Sequence, residues 1–276
     1  MKKWICLALA LALVMGCGGC SENPELRVTF FRAGKADAAV IQTKTGVIVI
    51  DTGLEKNSGE LIQALEDLGI SRIDALILSH FDKDHVGGAA ALLNRFSVGA
   101  VYQSNYPKDS DEYEAYVQAL ADCGMTARTV SDTVTWTLDG VTVTIDGPAQ
   151  TEYDKDPSNN SSLIVTVTCG ANTVLFAGDA ENARIREFLD AYRRPEGNLI
   201  LKMPYHGHWQ SRLPDLLQAV QPDAAVISCS KSEPEADELE QTVALLESLG
   251  AQVCLTCNGT VTLTCTADGY TIAQAD

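Results

Sequence analysis

The stretch Ser79-His80-Phe81-Asp82-Lys83-Asp84-His85-Val86-Gly87-Gly88 follows directly after an apolar run, Ile73 to Leu78. If residues 73–79 form a buried strand, His80 and Asp82 leave its end on one side, whereas Asp84 and His85 lie where a helix would begin. The two glycines allow close approach of another backbone segment. The stretch therefore predicts a site at a strand end that can serve two neighbouring cations.

A loop rich in Asp and His is often only solvated, and a single histidine is more often structural than a metal ligand. The chain, however, has four histidines, and they occupy just two places. His80 and His85 lie in the stretch above, and His206 and His208 lie in Tyr205-His206-Gly207-His208. This concentration favours a metal site over a solvated loop.

Other apolar runs also end abruptly in polar residues. Val47–Ile50 is followed by Asp51, Val174–Ala177 by Gly178-Asp179, and Leu199–Leu201 by Lys202 to His206. Strand ends that converge at one rim of an α/β layer are a usual location for a site. We therefore expect these polar residues to share one site.

The His80–Gly88 stretch resembles the His-x-His-x-Asp-His signature of the metallo-β-lactamase-fold hydrolases, with Asp82 where the second histidine would be. The pattern is similar to the branch typified by the hydrolase domain of the competence protein ComEC and its stand-alone relatives. Further matches occur in the order of that family, over about residues 27 to 230: Gly34-Lys35-Ala36-Asp37-Ala38, Asp51-Thr52-Gly53, Asn159-Asn160-Ser161-Ser162-Leu163, Gly178-Asp179 and Lys202 through Gly207.

Hydrophobic patterns on their own predict an α/β protein with a mixed sheet. Strands are expected near 26–32, 37–43, 46–50, 73–79, 98–103, 133–138, 141–146, 162–168, 172–177, 198–202, 223–229, 251–257, 260–265 and 269–273. Helices are expected near 57–69, 86–94, 110–124, 181–192, 212–220 and 236–249. The resemblance implies the more specific architecture, an αββα sandwich of two mixed β-sheets flanked by helices.

By position in the family pattern, the resemblance implies a ligand set for two divalent cations: His80 and Asp82 for one, Asp84 and His85 for the second, Asp179 bridging both and His206 completing the second. Two cations about 3.5–4 Å apart lower the pKa of a bridging water, so hydroxide can attack a phosphorus or carbonyl centre. No histidine lies between residues 86 and 179, and such a carboxylate-rich set shifts the expected metal towards manganese or magnesium. Because the availability of a metal often decides which ion is bound, zinc and manganese are the leading expectations, and magnesium is also allowed.

The remaining site residues carry open alternatives. Asp51 either orients a ligand or forms the turn in Asp-Thr-Gly. Lys202 either neutralises substrate charge or pairs with Asp179, and Asn160 is assigned beside the substrate. The family pattern Lys-x-x-His-His-Gly-Ser has Tyr205 in place of its first histidine and His208 in place of its serine. Asp84 and His208 are the candidate catalytic residues; His208 or Tyr205 could act as the general acid, or His208 could simply pack at the surface.

The N-terminal residues have the features of an export signal. Lys2 and Lys3 precede a twelve-residue apolar run, Trp4 to Met15, which is too short to span a bilayer. Val14-Met15-Gly16-Cys17 resembles a bacterial lipoprotein cleavage box, so Cys17 would be lipidated; the alternative is an ordinary signal and a secreted protein. We expect a signal peptide at 1–16, a tether at 17–25 and a hydrolase domain at 26–276, extracytoplasmic and lipid-anchored to the bacterial membrane.

Charge and cysteine content limit the partners. Removal of residues 1–16 takes away two lysines and no acid, which leaves 18 basic against 37 acidic residues and a formal charge of −19. Such a surface repels phosphate backbones and opposes stable nucleic-acid binding. The nine cysteines permit disulfides after export, but their pairing cannot be read from sequence. Cys254-Leu255-Thr256-Cys257, followed by Asn258-Gly259, favours a β-hairpin over a zinc site.

Three functions are compatible with these observations. The resemblance implies a surface-anchored, metal-dependent hydrolase of phosphodiesterase or nuclease type, acting on a small or polymeric anionic phosphodiester. An acyl hydrolase for thioesters or lactams is the second, because fold alone does not assign a substrate. The third is a non-catalytic surface lipoprotein that binds metal for stability.

Overall fold

The computed structural model describes residues 26–231, 236–267 and 269–275; the predicted signal peptide and tether lie outside this part of the chain. The strands are β1 (Leu26–Phe30), β2 (Ala38–Gln42), β3 (Val47–Thr52), β4 (Arg72–Leu78), β5 (Ser97–Gln103), β6 (Arg128–Thr129), β7 (Val134–Leu138), β8 (Val141–Asp146), β9 (Ile164–Cys169), β10 (Asn172–Phe176), β11 (Asn198–Lys202), β12 (Ala224–Ile227), β13 (Gln252–Leu255), β14 (Thr260–Cys265) and β15 (Tyr270–Ala275).

The α-helices are α1 (Ser58–Asp67), α2 (Lys83–Val86), α3 (Ala89–Arg95), α4 (Asp111–Asp122), α5 (Pro157–Asn160), α6 (Asn182–Ala191), α7 (Leu213–Val220) and α8 (Ala236–Ser248). Short 3-10 helices cover Glu55–Asn57, Pro204–Gly207 and Thr256–Asn258. Within the described ranges, no helix combines the length and apolarity needed to cross a bilayer.

The strands form two mixed sheets. The first has the order β15-β14-β1-β2-β3-β4-β5-β6, and the second has the order β13-β12-β11-β10-β9-β8-β7. In each sheet one half is antiparallel and the other half is parallel: β3 pairs with β4, and β10 pairs with β11, in parallel register. The carboxyl ends of these parallel strands lie at one rim of the molecule.

Alternating side chains place the core between the sheets. Val141, Val143 and Ile145 of β8 are fully buried there, together with Val261 and Leu263 of β14. A second apolar cluster joins the outer face of the first sheet to α1, α3 and α4, and a third joins the second sheet to α6 and α7. The four layers are helix, sheet, sheet and helix, which confirms the predicted αββα sandwich.

The predicted hairpin at Asn258-Gly259 is wrong. β13 pairs in parallel with β12 in the second sheet, whereas β14 pairs with β1 in the first sheet. The Thr256–Asn258 helix redirects the chain between the two sheets, and Gly259 follows it with φ 142°. Alternating apolar residues identify a strand but not the sheet to which it belongs. The sequence therefore predicts that β13 and β14 pair because they are consecutive in the chain.

The predicted helix at 86–94 is divided into α2 and α3, and Gly87 and Gly88 lie between them. A Cβ on Gly88 would lie 2.5 Å from the carbonyl oxygen of Thr52, so the expected close backbone approach is present. Two short elements, β6 and α5, were not predicted. At two and four residues they are too short to carry a periodic hydrophobic signal.

Candidate metal centre

The candidate site lies where parallel strands of both sheets end. Asp51 is the second-to-last residue of β3, and His80 follows β4 by two residues. Asp179 follows β10 by three residues, and His206 follows β11 by four. The predicted convergence of strand ends therefore occurs, and it joins one sheet to the other.

Unusual backbone conformations bring these side chains together. Gly178 has φ 52°, and a Cβ there would lie 3.0 Å from Cβ of Ser79. Only glycine allows this approach, which brings the next residue, Asp179, against the β4 end. Asp51 (φ 55°) and His206 (φ 52°) also adopt left-handed conformations, which cost free energy for residues with a side chain. Such strain is concentrated at functional sites in proteins.

Asp179 is the centre of the cluster. Its Oδ1 lies 3.2 Å from Nε2 of His85, and its Oδ2 lies 3.2 Å from Nε2 of His206. Nε2 of His80 is 3.9 Å from the same Oδ2. Three imidazoles from two chain segments thus direct the same ring nitrogen towards one buried carboxylate.

Two further carboxylates lie behind these imidazoles. Oδ2 of Asp51 is 2.8 Å from Nδ1 of His85, and Oδ1 of Asp37 is 3.6 Å from Nδ1 of His206. Asp37 also accepts a 2.7 Å hydrogen bond from Nζ of Lys202. A carboxylate on Nδ1 fixes the ring and leaves Nε2 for a metal. Of the two roles predicted for Asp51, its position fits the orientation of a ligand.

Asp84 and Asp82 lie on the outer side of the cluster. Oδ2 of Asp84 is 3.5 Å from Nε2 of His206 and 3.7 Å from Nζ of Lys35. Oδ1 of Asp82 is 3.9 Å from Nε2 of His80. The same oxygen contacts Nζ of Lys108 and Oγ of Ser158. The two outer carboxylates therefore each approach one of the three histidines and each have a cationic neighbour.

The electrostatic balance of the centre favours positive charge. Burial opposes ionisation of Asp179, but His206 and His85 outweigh burial and hold the pKa of its carboxyl well below the usual value. Burial likewise opposes protonation of His85 and His206, yet Asp179 and further carboxylates raise the pKa of both rings well above the usual value. At His80, burial and then His85 lower the pKa. The carboxylates thus stabilise positive charge at the centre, and protonated rings of His85 and His206 supply it.

Buried polar atoms test whether a metal fits here. Nε2 of His80, His85 and His206, and Oδ1 of Asp179, are buried and make no hydrogen bond within the described residues. Most buried polar atoms in proteins are paired, and these atoms are the types that bind zinc or manganese. The set Asp37, His85, Asp179 and His206 offers ligand atoms within 4.8 Å of one another. The residues present fit a divalent-cation site, although Asp37 lies on the Nδ1 side of His206 and is better placed to orient that ring.

The other predicted residues take different positions. Lys202 pairs with Asp37 rather than with Asp179. The ring of His208 lies 6.4 Å from that of His206 and 4.9 Å from that of Tyr205, and Nδ1 of His208 is 3.7 Å from Oε2 of Glu238. His208 is buried at 7% exposure, so it belongs to the edge of the site rather than to open surface.

Asn160 connects two helices beside the site. Its Oδ1 accepts a hydrogen bond from the backbone N–H of Arg184 in α6, and its Nδ2 donates to the carbonyls of Lys155 and Asp156. These contacts connect α5 to α6 rather than to the imidazole cluster. The role predicted for Asn160 beside the substrate stays a prediction.

Sequence reasoning did not assign site roles to Asp37, Lys108 or Ser158. Asp37 could have been found, since it lies in the Gly34-Lys35-Ala36-Asp37-Ala38 match and immediately precedes β2. Lys108 and Ser158 lie in loops and reach Asp82 from 26 and 76 residues away. No local pattern distinguishes them from other loop residues.

Comparisons with known proteins agree with this geometry. The profile described as "Metallo-beta-lactamase superfamily" matches residues 32–231. ComE operon protein 3 of Bacillus subtilis (strain 168) is 27% identical over 275 residues, which cover 93% of this chain and 34% of that protein. Competence protein ComA of Neisseria gonorrhoeae is 26% identical, with 83% of this chain and 30% of that protein covered. The chain thus spans about a third of the length of these curated relatives.

Solved structures show the same architecture. YhfI from Bacillus subtilis, described as a metallo-beta-lactamase fold protein, aligns with a TM-score of 0.58 at 13% identity over 91% of this chain and 100% of that one. CmlA from Streptomyces venezuelae, described as a diiron beta-hydroxylase, aligns with a TM-score of 0.56 at 16% identity over 92% of this chain and 55% of that one. At such identities the likeness concerns the fold.

Proposed function

Because the chain belongs to the metallo-beta-lactamase superfamily, we propose that it is a metal-dependent hydrolase that cleaves phosphodiesters. It would work outside the cytoplasm, anchored to the membrane through a lipid on Cys17. His80 and Asp82 would hold one cation, and Asp84, His85 and His206 a second, with Asp179 between them. Divalent cations bound there supply charge stabilisation and lower the pKa of a water molecule.

One observation carries the choice of substrate: each outer carboxylate has a partly exposed lysine beside it. Lys35 contacts Asp84 and Lys108 contacts Asp82, and the two lysine side chains are 50% and 33% exposed. Once cations occupy the carboxylates, these ammonium groups are left at the entrance to the site. A phosphodiester is negatively charged before it reacts, whereas a thioester or a lactam ring is neutral. The lysines therefore favour the phosphodiester.

The protein's own groups supply positioning and proton transfer. Asp51 and Asp37 hold the rings of His85 and His206 through Nδ1. Burial opposes ionisation of Asp37, but Lys202 together with His206 and His85 outweighs burial and lowers the pKa of that carboxyl. His208, at the edge of the site, is the candidate that gives a proton to the leaving group.

A cleft whose lining includes Glu181, two residues after Asp179, but none of the proposed metal ligands, favours a small substrate. It has a volume of about 370 Å³ and lies along residues 150–160 and 181–186. Its lining contains four acidic residues, Glu152, Asp154, Asp156 and Glu181, but only Lys155 and Arg186 as cations. This volume suits a small ligand, and the acidic excess opposes a long polyanion. We therefore place a small phosphodiester ahead of DNA.

The test is hydrolysis of bis(p-nitrophenyl) phosphate by the purified protein, stripped of metal and resupplied separately with manganese, magnesium or zinc. We expect activity to return with metal and to be lost in Asp84→Ala. Asp190→Ala, which alters an exposed carboxylate on α6, is the control and should keep its activity.

Two results would contradict the proposal. Hydrolysis of a chromogenic cephalosporin or a thioester without any phosphodiesterase activity would establish an acyl hydrolase. Stoichiometric metal binding without turnover of any of these substrates would indicate a metal-binding surface protein.

A further inference from the structure

Two cysteines outside the metal centre lie side by side at the end of the second sheet. Sγ of Cys229 is 3.0 Å from Sγ of Cys257. Cys229 follows β12 by two residues, and Cys257 lies in the Thr256–Asn258 helix, two residues after β13. They are 28 residues apart in sequence, so the contact is made by the fold and not by local geometry.

The register of the sheet accounts for this contact. Ile227 of β12 is paired with Leu255 of β13 in parallel. Each cysteine lies two residues beyond one member of this pair, so both follow the ends of adjacent strands. The backbone N–H of Cys229 donates a 3.2 Å hydrogen bond to Oγ1 of Thr256, which holds the two segments together. Adjacent strands are about 4.8 Å apart, within the Cα separation that a disulfide spans.

Accessibility distinguishes Cys257 from the buried cysteines Cys254 and Cys265. Cys257 is partly exposed, whereas Cys229 is 1% exposed. Cys254 and Cys265 are buried, and burial raises the pKa of both thiols, to about 12 for Cys265. The thiolate is the reactive form in thiol–disulfide exchange. A soluble disulfide can therefore react at Cys257 more readily than at Cys254 or Cys265.

We infer that Cys229 and Cys257 form an intramolecular disulfide bond when the protein meets a disulfide donor. The Cys257 thiolate attacks one sulfur of the donor, a mixed disulfide forms, and one donor thiolate leaves. The Cys229 thiolate then attacks Sγ of Cys257 and releases the second donor thiolate. The two cysteine thiols are oxidised to one disulfide, and the donor is reduced to two thiols, which take up the two protons.

The bond would strengthen the support of the metal centre. A Cβ on Gly207 would lie 2.9 Å from Cγ2 of Ile227, so the turn that carries His206 packs against the end of β12. A covalent link from Cys229 to Cys257 ties this strand end to the segment that leads to the first sheet. Closing a loop of this size restricts the unfolded chain and raises the unfolding temperature.

The test starts from the full-length protein, purified in reductant and then equilibrated with oxidised glutathione. Free thiols are blocked with N-ethylmaleimide, and the protein is digested without reduction and analysed by mass spectrometry. We expect a linked peptide that joins Cys229 to Cys257 and is about 2 Da lighter than the two reduced peptides together. Fragmentation assigns the link to Cys257 rather than to Cys254 or Cys265.

Two variants keep the inference falsifiable. Cys257→Ser, at a partly exposed position, should lack the link. Cys123→Ser, at an exposed position directly after α4, should retain it. Reduction should lower the unfolding temperature by about 5–10 °C in the wild type and in Cys123→Ser, but not in Cys257→Ser. Maleimide on both Cys229 and Cys257 after glutathione treatment, or a link from Cys257 to a different cysteine, would overturn the inference.

Discussion

Asp51 and His85 form a buried pair in which Oδ2 of the carboxylate lies 2.8 Å from Nδ1 of the imidazole. Ser79 holds the carboxylate in place, because its backbone N–H donates to Oδ1 at 2.8 Å and its hydroxyl donates to Oδ2 at 2.7 Å. The pair fixes the ring so that its Nε2 faces Oδ1 of Asp179 at 3.2 Å. Asp51 and Ser79, which are not proposed ligands, thus fix the orientation of the ligand His85.

Asp51→Asn should weaken metal binding while the fold is kept. Asparagine tolerates the left-handed backbone at this position, but its neutral amide holds the His85 ring less firmly. We expect the affinity for manganese or zinc to fall about 10- to 100-fold, measured by isothermal titration calorimetry of the metal-free protein.

Asp74→Asn is the matched control for this change. Oδ2 of Asp74 accepts a 2.9 Å hydrogen bond from the backbone N–H of Val47 at the other end of the same pair of strands. Its affinity for metal should equal that of the wild type. An unchanged affinity in Asp51→Asn would show that Asp51 only forms a turn.

Asp179→Asn tests whether a cation binds at the carboxylate that the three imidazoles face. A ligand present at a hundredfold excess over its dissociation constant adds about 2.7 kcal/mol of stability, or about 5–10 °C in a domain of this size. We expect manganese to raise the unfolding temperature of the wild type and of Asp190→Asn by this amount. Asp179→Asn should show no such rise, and an equal rise would mean that the cation binds elsewhere.

Much of this centre could be predicted from the sequence because its ligands follow buried strands. An apolar run that stops at His80, Asp179 or His206 marks both the strand and the rim where the strand ends. The relation between sheets could not be predicted in the same way. The pairing of β14 with β1 joins residues more than 200 positions apart. A local turn pattern such as Asn258-Gly259 does not predict such a pairing.

The residues that surround the ligands were harder to find. Lys108 and Ser158 meet at Asp82 only because two loops fold over the same rim. Lys202 was expected to pair with Asp179 or to bind substrate, yet it is buried against Asp37. Such pairings are decided by distances of a few ångströms between side chains, which spacing along the chain does not fix.

Lys108→Gln tests the proposed contact with an anionic substrate. The lysine lies beside Asp82 at the entrance, so loss of its charge should raise KM for bis(p-nitrophenyl) phosphate about 10-fold and change kcat little. Metal affinity should not fall, because no ligand is removed. Lys83→Gln, at an exposed lysine next to Asp82 in sequence, is the control and should leave KM unchanged. An unaltered KM in Lys108→Gln would remove this lysine from the substrate site.

Tyr192 provides a test of stability at alkaline pH. Its hydroxyl is buried and makes no hydrogen bond to the part of the chain that the structure describes. Burial raises the pKa of this phenol to about 12, against the opposing effect of Arg194. Because the folded pKa lies above the unfolded value of about 10, the stability contributed by the neutral form is complete below pH 10 and is lost as the pH rises towards 12.

Tyr192→Phe should therefore be at least as stable as the wild type at neutral pH and should lose about 1–2 kcal/mol less between pH 10 and 12. Urea unfolding across this range measures both effects. Tyr153→Phe is the contrasting variant, because the Tyr153 hydroxyl donates a 2.9 Å hydrogen bond to Glu187 and its removal should cost about 1 kcal/mol at neutral pH. If Tyr192→Phe were as destabilising as Tyr153→Phe, the Tyr192 hydroxyl would have a partner in the folded protein and its burial would not be the source of the pKa shift.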